Sequence, residues 1–343
     1  MAKRIEPHSN DWTIGVDLGG TKVLSALVDS KGCVIHQAIR PVTPPDRHEF
    51  DPRDPYRPSA TDVRKHVAYV VESMTDTIVE CASALETKDR RRIRGVGLAS
   101  AGPMDLGQGL LIDSSNFKGW KRVAIVENLA KACAKRTLPS GLKKSASFQN
   151  DAVAAALGEG WVGVAKAKTT YVMITIGTGI GTGVILNGRP AQSQGRGCEW
   201  GHLICDSRGF SKRLDDPDQS SPDAIASGTG LVRQAQRHGY SEFKTARLIA
   251  EAAERGDRRA QDLLQECSEA LASLFYTLSL GFNPEVFAVS GGMLAMQKFF
   301  LPQAIGMYRD AIRVKYPSFE KPIKVSRTGT MAGIIGAARL PRL

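Results

Sequence analysis

The sequence has no CxxC pair, and its six cysteines, at positions 33, 81, 133, 198, 205 and 267, are scattered. That distribution fits reduced thiols better than a disulfide framework. No uninterrupted apolar stretch of about 18 residues occurs, which excludes a transmembrane helix and argues against a membrane partner. The polar segment Met1–Asn10 lacks the apolar centre of a secretion signal. A cytoplasmic location is therefore expected. No Gly-Lys pair is present anywhere, so the chain has no P-loop. What remains is a chain of 343 residues, 42% hydrophobic and 24% charged, long enough for two globular domains.

The formal net charge is +11. Nucleic acid is the first partner such a charge suggests. The basic residues are nevertheless spread out, apart from Lys88–Arg94 (KDRRRIR), which carries no interleaved aromatics and leads into an apolar strand. That run reads as a solvated face, no specific nucleic-acid partner is expected, and the general charge favours anionic substrates such as nucleotides.

Three short strands are predicted over Thr13–Asp17, Val23–Val28 and Val34–Ala38, with Asp29-Ser30-Lys31-Gly32 as a hairpin turn. Pro41–Ala60, with six prolines, reads as an irregular insertion. Thr61–Leu85 has helical periodicity, and Ile93–Ser100 is a strand running into Ala101-Gly102-Pro103. A strand at Ser147–Gln149 enters Asn150-Asp151 and then a helix, Ala152–Trp161. Thr170–Ile176 is a strand meeting a glycine-rich turn. Further on, Leu263, Cys267, Leu271, Leu274 and Leu278 share one face of a long helix stopped by Asn283-Pro284. A strand at Val286–Ser290 and a helix at Met331–Arg339 follow. Alternating strands and helices indicate an α/β fold. Two strand pairs each meet a Gly/Thr turn, at Gly19–Thr21 and Gly177–Thr182, which makes an internal duplication plausible.

Three glycine turns carry the chemistry. In the first, an apolar strand ends in Asp17-Leu18-Gly19-Gly20-Thr21-Lys22. Gly-Gly lets the backbone approach a ligand, and turn amides with Thr21 and Lys22 suit a phosphate. Asp17 at the strand end is placed to hold Mg²⁺ through water. An ordinary hairpin is the alternative. In the second, Gly177-Thr178-Gly179-Ile180-Gly181-Thr182-Gly183 has the wrong spacing for a dinucleotide fingerprint and continues as a strand. It reads as a β-turn-β whose amides and threonine hydroxyls grip phosphates, or as a plain tight hairpin. In the third, Ser290-Gly291-Gly292 ends a strand before a helix, a turn common in α/β proteins that lets a flat adenine lie against backbone.

These turns, in this order, resemble the ATP site of the sugar kinase/Hsp70/actin superfamily. Ala101-Gly102-Pro103, Asn150-Asp151, Glu199-Trp200-Gly201-His202 and Ala226-Ser227-Gly228 narrow the resemblance to the ROK family of sugar kinases and repressors, over residues 12 to 339. The resemblance implies two actin-like ATPase (ribonuclease H-like) α/β domains around an interdomain cleft. The small one is expected over 1–115, completed by a C-terminal helix at 328–343, and the large one over 116–327. It implies ATP and Mg²⁺ as cofactors. Asp17, Gly19, Gly20, Thr21, Lys22, Gly177, Thr178, Gly179, Gly291 and Gly292 are then the ATP-binding set. Asp151 matches the family's catalytic base, although the residue alone reads better as an N-cap of the following helix. Gly102, Asn116, Asn150, Asp151, Glu199, His202 and Asp223 fall at substrate-binding positions, where amides and carboxylates suit sugar hydroxyls. A homodimer is expected.

The chain departs from the family in places. The cysteine motif that completes a structural zinc site after the histidine is missing, with no cysteine between Cys205 and Cys267. No structural zinc is expected. An improvised Cys198, His202, Cys205 and Asp206 site is the alternative to buried thiols beside a sugar-facing histidine. Asp223 replaces a family glutamate, shortening the reach by one methylene. Val153 replaces an asparagine. The resulting expectation is a C6 hexose kinase, with glucose ahead of N-acetylmannosamine, N-acetylglucosamine and fructose, and with polyphosphate open as another donor. A sugar-responsive repressor is the alternative from another class; the eleven residues before Trp12 are too few for the helix-turn-helix it would need. A sugar-binding protein without catalysis is another.

Overall fold

The computed structural model describes residues 11–44, 58–114, 116–143, 146–193, 197–205 and 217–343. Most of the Pro41–Ala60 insertion, Asp206 and the segment that replaces the cysteine motif lie outside them. The chain divides into two units. The first holds the described residues of Met1–Lys166, Gln192–Gly197 and Met331–Leu343, and the second those of Ala167–Ala191 and Cys198–Thr330.

In the first unit, β1 (Trp12–Leu18), β2 (Lys22–Val28) and β3 (Val34–Pro41) form an antiparallel meander, and β4 (Ile93–Ser100) runs parallel to β1. Small strands β5 (Met104–Asp105), β6 (Leu110–Ile112) and β7 (Arg122–Val123) form a separate sheet. β8 (Ser147–Asn150) pairs parallel with β4, giving the order β3-β2-β1-β4-β8. The unit's helices are α1 (Ala60–Ser83), α2 (Thr87–Arg90), α3 (Ile125–Ala134), α4 (Asp151–Val162) and the C-terminal helix Ala332–Arg339. Ser59 and Asp62 close a reciprocal capping box at the start of α1, which fixes that end.

A strand covered on both faces reads as nearly all apolar, and β1 and β2 are such strands. Ile14, Val16 and Leu18 join Val70, Met74 and Ile78 of α1 in one core. Leu24, Ala26 and Val28 join Ile334, Ile335 and Ala338 of the C-terminal helix in another. Gly15 and Asp17 alternate onto the C-terminal helix side of β1. A Cβ at Gly15 would run into the Ile334 carbonyl, and one at Gly333 would stand 3.7 Å from Asp17 Oδ2. The seam continues at Gly336, where a Cβ would collide with the Ala154 carbonyl of α4.

Contacts place residues 116–166 with the first unit, whereas the sequence reading starts its large domain at residue 116. The cause is topological. β8 extends the first sheet through its pairing with β4, and α4 packs on the C-terminal helix.

In the second unit, β9 (Tyr171–Ile176), β10 (Ile180–Leu186) and β11 (Arg189–Pro190) form another antiparallel meander. β12 (Phe287–Ser290) is parallel to β9, and β13 (Ile323–Val325) to β12, giving β11-β10-β9-β12-β13. Its helices are α5 (Pro222–Ala226), α6 (Gly228–Arg237), α7 (Ala246–Glu254), α8 (Arg258–Phe282) and α9 (Leu301–Lys315). Leu263, Leu271, Leu274, Phe275 and Leu278 of α8 share a core with Val172, Ile174, Phe287 and Val289. Asn283 ends α8 at φ 46° in the left-handed region that asparagine tolerates. Among the described residues, no helix is long and apolar enough to cross a membrane.

Candidate active site

In the first unit the functional residues gather where the parallel strands β1, β4 and β8 end, the edge at which open α/β sheets bind ligands. Asp17 is the penultimate residue of β1, Gly102 follows β4, and Asn150 closes β8. The Gly19–Lys22 turn is the hairpin between β1 and β2, closed by Gly19 N–H donating to the Lys22 carbonyl at 3.1 Å. Gly20, Thr21 and Lys22 are exposed. Asn116 lies beside this turn, since a Cβ on Gly20 would stand 3.3 Å from Asn116 Cγ. The Asn116 loop is anchored by Phe117 and Trp120, buried and stacked with centroids 4.4 Å apart. Gly102 faces Asn150, whose Nδ2 would be 3.8 Å from a Cβ placed there.

The helix cap falls on Asn150 instead of Asp151. Asn150 Oδ1 accepts from the N–H groups of Ala152 at 2.9 Å and Val153 at 3.2 Å. Asp151 occupies the first helical position, with Oδ1 accepting from Ala152 N–H at 2.8 Å. The capping role that competes with catalysis at Asp151 is thus filled by its neighbour. Burial holds the Asp151 carboxyl above the usual carboxylate range, moderated by the Ala152 amide and its own. Asp17 is pushed up to about 6, first by burial and then by the charge of Asp151, with Lys22 opposing. The Asp17 carboxyl therefore feels the Asp151 charge.

The second unit holds the other turns. Gly177 N–H donates to the Gly179 carbonyl at 2.9 Å, closing the β9–β10 hairpin. The Gly177 and Thr178 carbonyls accept from Gly228 N–H at 2.8 Å and Thr229 N–H at 3.2 Å, at the start of α6. A trans peptide points its C=O and N–H to opposite sides. The Thr178 and Gly179 amides therefore face away from α6, on the exposed side of the turn. The Ala226-Ser227-Gly228 motif now has a structural role. Ser227 caps α6 through Gly230 N–H at 2.9 Å, and Gly228 admits the turn. Gly291, at φ 106°, crosses the end of β9 so closely that a Cβ would strike the Ile176 carbonyl.

Two sequence expectations meet different surroundings. The Asp223 carboxylate accepts from Ile180 N–H at 2.6 Å, so it braces the glycine turn. The Thr182 hydroxyl, expected to grip phosphate, instead donates to the Cys198 carbonyl and accepts from Trp200 N–H at 3.0 Å. Nothing local in the sequence signals either bond, because the partners stand 43 and 16 to 18 residues apart. Glu199 and His202 are exposed and bracket one 3₁₀ turn, where positions three apart eclipse and aim the same way. The Cys198 thiol donates to the Ala191 carbonyl and the Cys205 thiol to the Ser220 carbonyl. Both cysteines are half-buried. Among the described residues, no group of three or more His, Cys, Asp or Glu side chains is arranged to hold a metal ion.

Two α/β units, each a five-stranded sheet with glycine turns at its strand ends, define the actin-like ATPase fold. The ROK family profile matches residues 59–342, and the chain belongs to that family. It is 28% identical over 346 residues to a glucokinase of Thermotoga maritima, covering 95% of this chain and 96% of that one. It is also 28% identical to an N-acetylmannosamine kinase of Escherichia coli O9:H4, covering 96% and 97%. A ROK glucokinase from Streptomyces griseus, solved with glucose and AMPPNP, superposes at a TM-score of 0.71 with 24% identity, covering 96% and 98%.

Proposed function

We propose that this ROK protein is a hexose kinase that transfers the γ-phosphoryl group of ATP to the C6 hydroxyl of a sugar, glucose first. The observation that carries the reading is the pair Asn150-Asp151. Asn150 caps α4, which leaves Asp151 half-buried at a strand end with a raised pKa, suited to accept a proton from an attacking hydroxyl. Gly102, Asn116, Asn150, Glu199 and His202 hold the sugar. Asp223 contributes through the turn that it braces. The Gly19–Lys22 and Gly177–Gly179 turns receive phosphates through backbone amides, and Gly291-Gly292 receives the adenosine. Asp17 would hold Mg²⁺, which supplies charge neutralisation to the phosphates when bound. The complex of the S. griseus glucokinase with glucose and AMPPNP supports this choice of substrates.

Coupled ADP release with Mg-ATP tests the reading against glucose, N-acetylmannosamine, N-acetylglucosamine and fructose. Turnover is expected with glucose above the others. Asp151→Asn should lower kcat about 10²–10⁴-fold and still bind the sugar, as read by calorimetry. Absence of turnover with every sugar, with ATP and with polyphosphate, would overturn the kinase reading. Sugar binding without turnover would point to a regulator.

A further inference from the structure

The Thr182 hydroxyl reaches the backbone on both sides of Glu199. Thr182 sits in β10, opposite Ile174 of β9, and is 4% exposed. Its hydroxyl has one proton and two lone pairs. The proton goes to the Cys198 carbonyl, and one lone pair takes the Trp200 N–H at 3.0 Å. Glu199 lies between these two bonds at φ −80° and ψ 55°, outside both the helix and strand wells. Cys198 is held at φ 63°, a left-handed conformation that a side chain with a Cβ adopts only when its surroundings enforce it.

Other contacts tie the same segment to the same strand. Gly201 presses on the Ile180 carbonyl, where any Cβ would collide. The Cys198 thiol is bonded to the Ala191 carbonyl. His202 N–H donates to the Glu199 carbonyl at 3.0 Å, which ties the backbone of His202 to that of Glu199. The Trp200 ring packs edge-on against Phe282 with centroids 5.1 Å apart, which anchors the far side of the turn. Within this frame, Thr182 supplies the side-chain hydrogen bonds to the two peptide groups that flank Glu199. A β-branched residue in a strand has few χ1 choices, so the position of its hydroxyl is fixed by the core strand that carries it.

We propose that Thr182 is a positioning residue that sets the direction of the Glu199 and His202 side chains toward the sugar. The proposal rests on the kinase reading for the role of those two side chains. Thr182 touches no substrate itself. Valine has nearly the same shape and no hydroxyl, so Thr182→Val leaves the Cys198 carbonyl and the Trp200 amide unpaired and lets Glu199 rotate. Serine keeps the hydroxyl with a looser rotamer.

The test compares wild type, Thr182→Val and Thr182→Ser in steady-state kinetics, varying sugar and ATP separately. In Thr182→Val the KM for sugar should rise about tenfold or more, the loss expected for one to two hydrogen bonds. The KM for ATP should stay within about twofold, because the Gly177–Ile180 turn keeps its own bonds to α6 and Asp223. Thr182→Ser should restore the sugar KM to within about threefold of wild type. A purely structural role would move both KM values together, and that result, or an unchanged sugar KM in Thr182→Val, would overturn the proposal.

Exchange of the Trp200 amide, read by NMR on the wild-type protein and on Thr182→Ser, gives a second readout if the valine variant does not fold. Slow exchange in both supports the clamp, and exchange at open-loop rates in wild type overturns it. Failure of the wild-type protein to turn over any sugar would instead overturn the kinase reading. The clamp is then judged by whether Trp200 is protected in wild type and unprotected in Thr182→Val.

Discussion

Asp17 is kept beside Asp151 in a half-buried position, and its proton affinity records the cost. The folded state raises its pKa from 3.8 to about 6. Folded protein therefore holds more protons than unfolded chain between about pH 4 and 6, and stability falls as pH rises through that window. By pH 7 the cost is complete, on the order of 2–3 kcal/mol. Asp17→Asn removes the charge and keeps the shape. Its melting temperature should exceed that of wild type at pH 7, and thermal melts should show the gap closing toward pH 4. An equal gap at both pH values would mean that the charge is not the cause. Asp17 and Asp151 stand out in the sequence because each ends a strand and precedes a turn or helix. The sequence leaves Asp151 between base and cap, because the choice depends on how the Asn150 side chain turns. It also points the Thr182 hydroxyl to phosphate, because its actual partners, Cys198 and Trp200, lie on a different stretch of chain.

Regular elements are mostly legible in the sequence, since they answer to local periodicity. The strand expected over Ile93–Ser100 has those same bounds in the fold, and the helix stop at Asn283-Pro284 is where α8 ends. Packing between distant elements is not legible. The C-terminal helix reads as an ordinary short helix, yet Gly336 marks the place where it touches α4 backbone to backbone. Gly336→Ala should cost about 2–3 kcal/mol or more, by driving a methyl group into the Ala154 carbonyl. Gly306→Ala in α9 makes the same change where nothing lies within 4 Å, and should be neutral or stabilising by about 0.5–1 kcal/mol. Denaturant titration of the two variants checks the contrast, and equal effects would exclude the close approach as the reason.

At the scale of the molecule, the two sheets share one plan. Each begins with a three-stranded antiparallel meander, then adds two parallel strands on the side of its first strand. The paired Gly/Thr turns thus have a counterpart in a shared strand order. The first unit has a further peculiarity, since the helix covering Leu24, Ala26 and Val28 comes from the far end of the sequence. A chain ending at Thr330 should bind a hydrophobic dye and be cleaved by protease within 11–166, with 167–330 still resistant, as mass spectrometry of the fragments would show. Resistance throughout would mean that the first unit holds without this helix. The same arrangement reverses the usual order of assembly on the ribosome, where the first domain made is the first to finish. Here the nascent first unit must wait, with one face of its sheet bare, until the whole of the second has been synthesised, and that interval is when a chaperone would have its longest opportunity to bind.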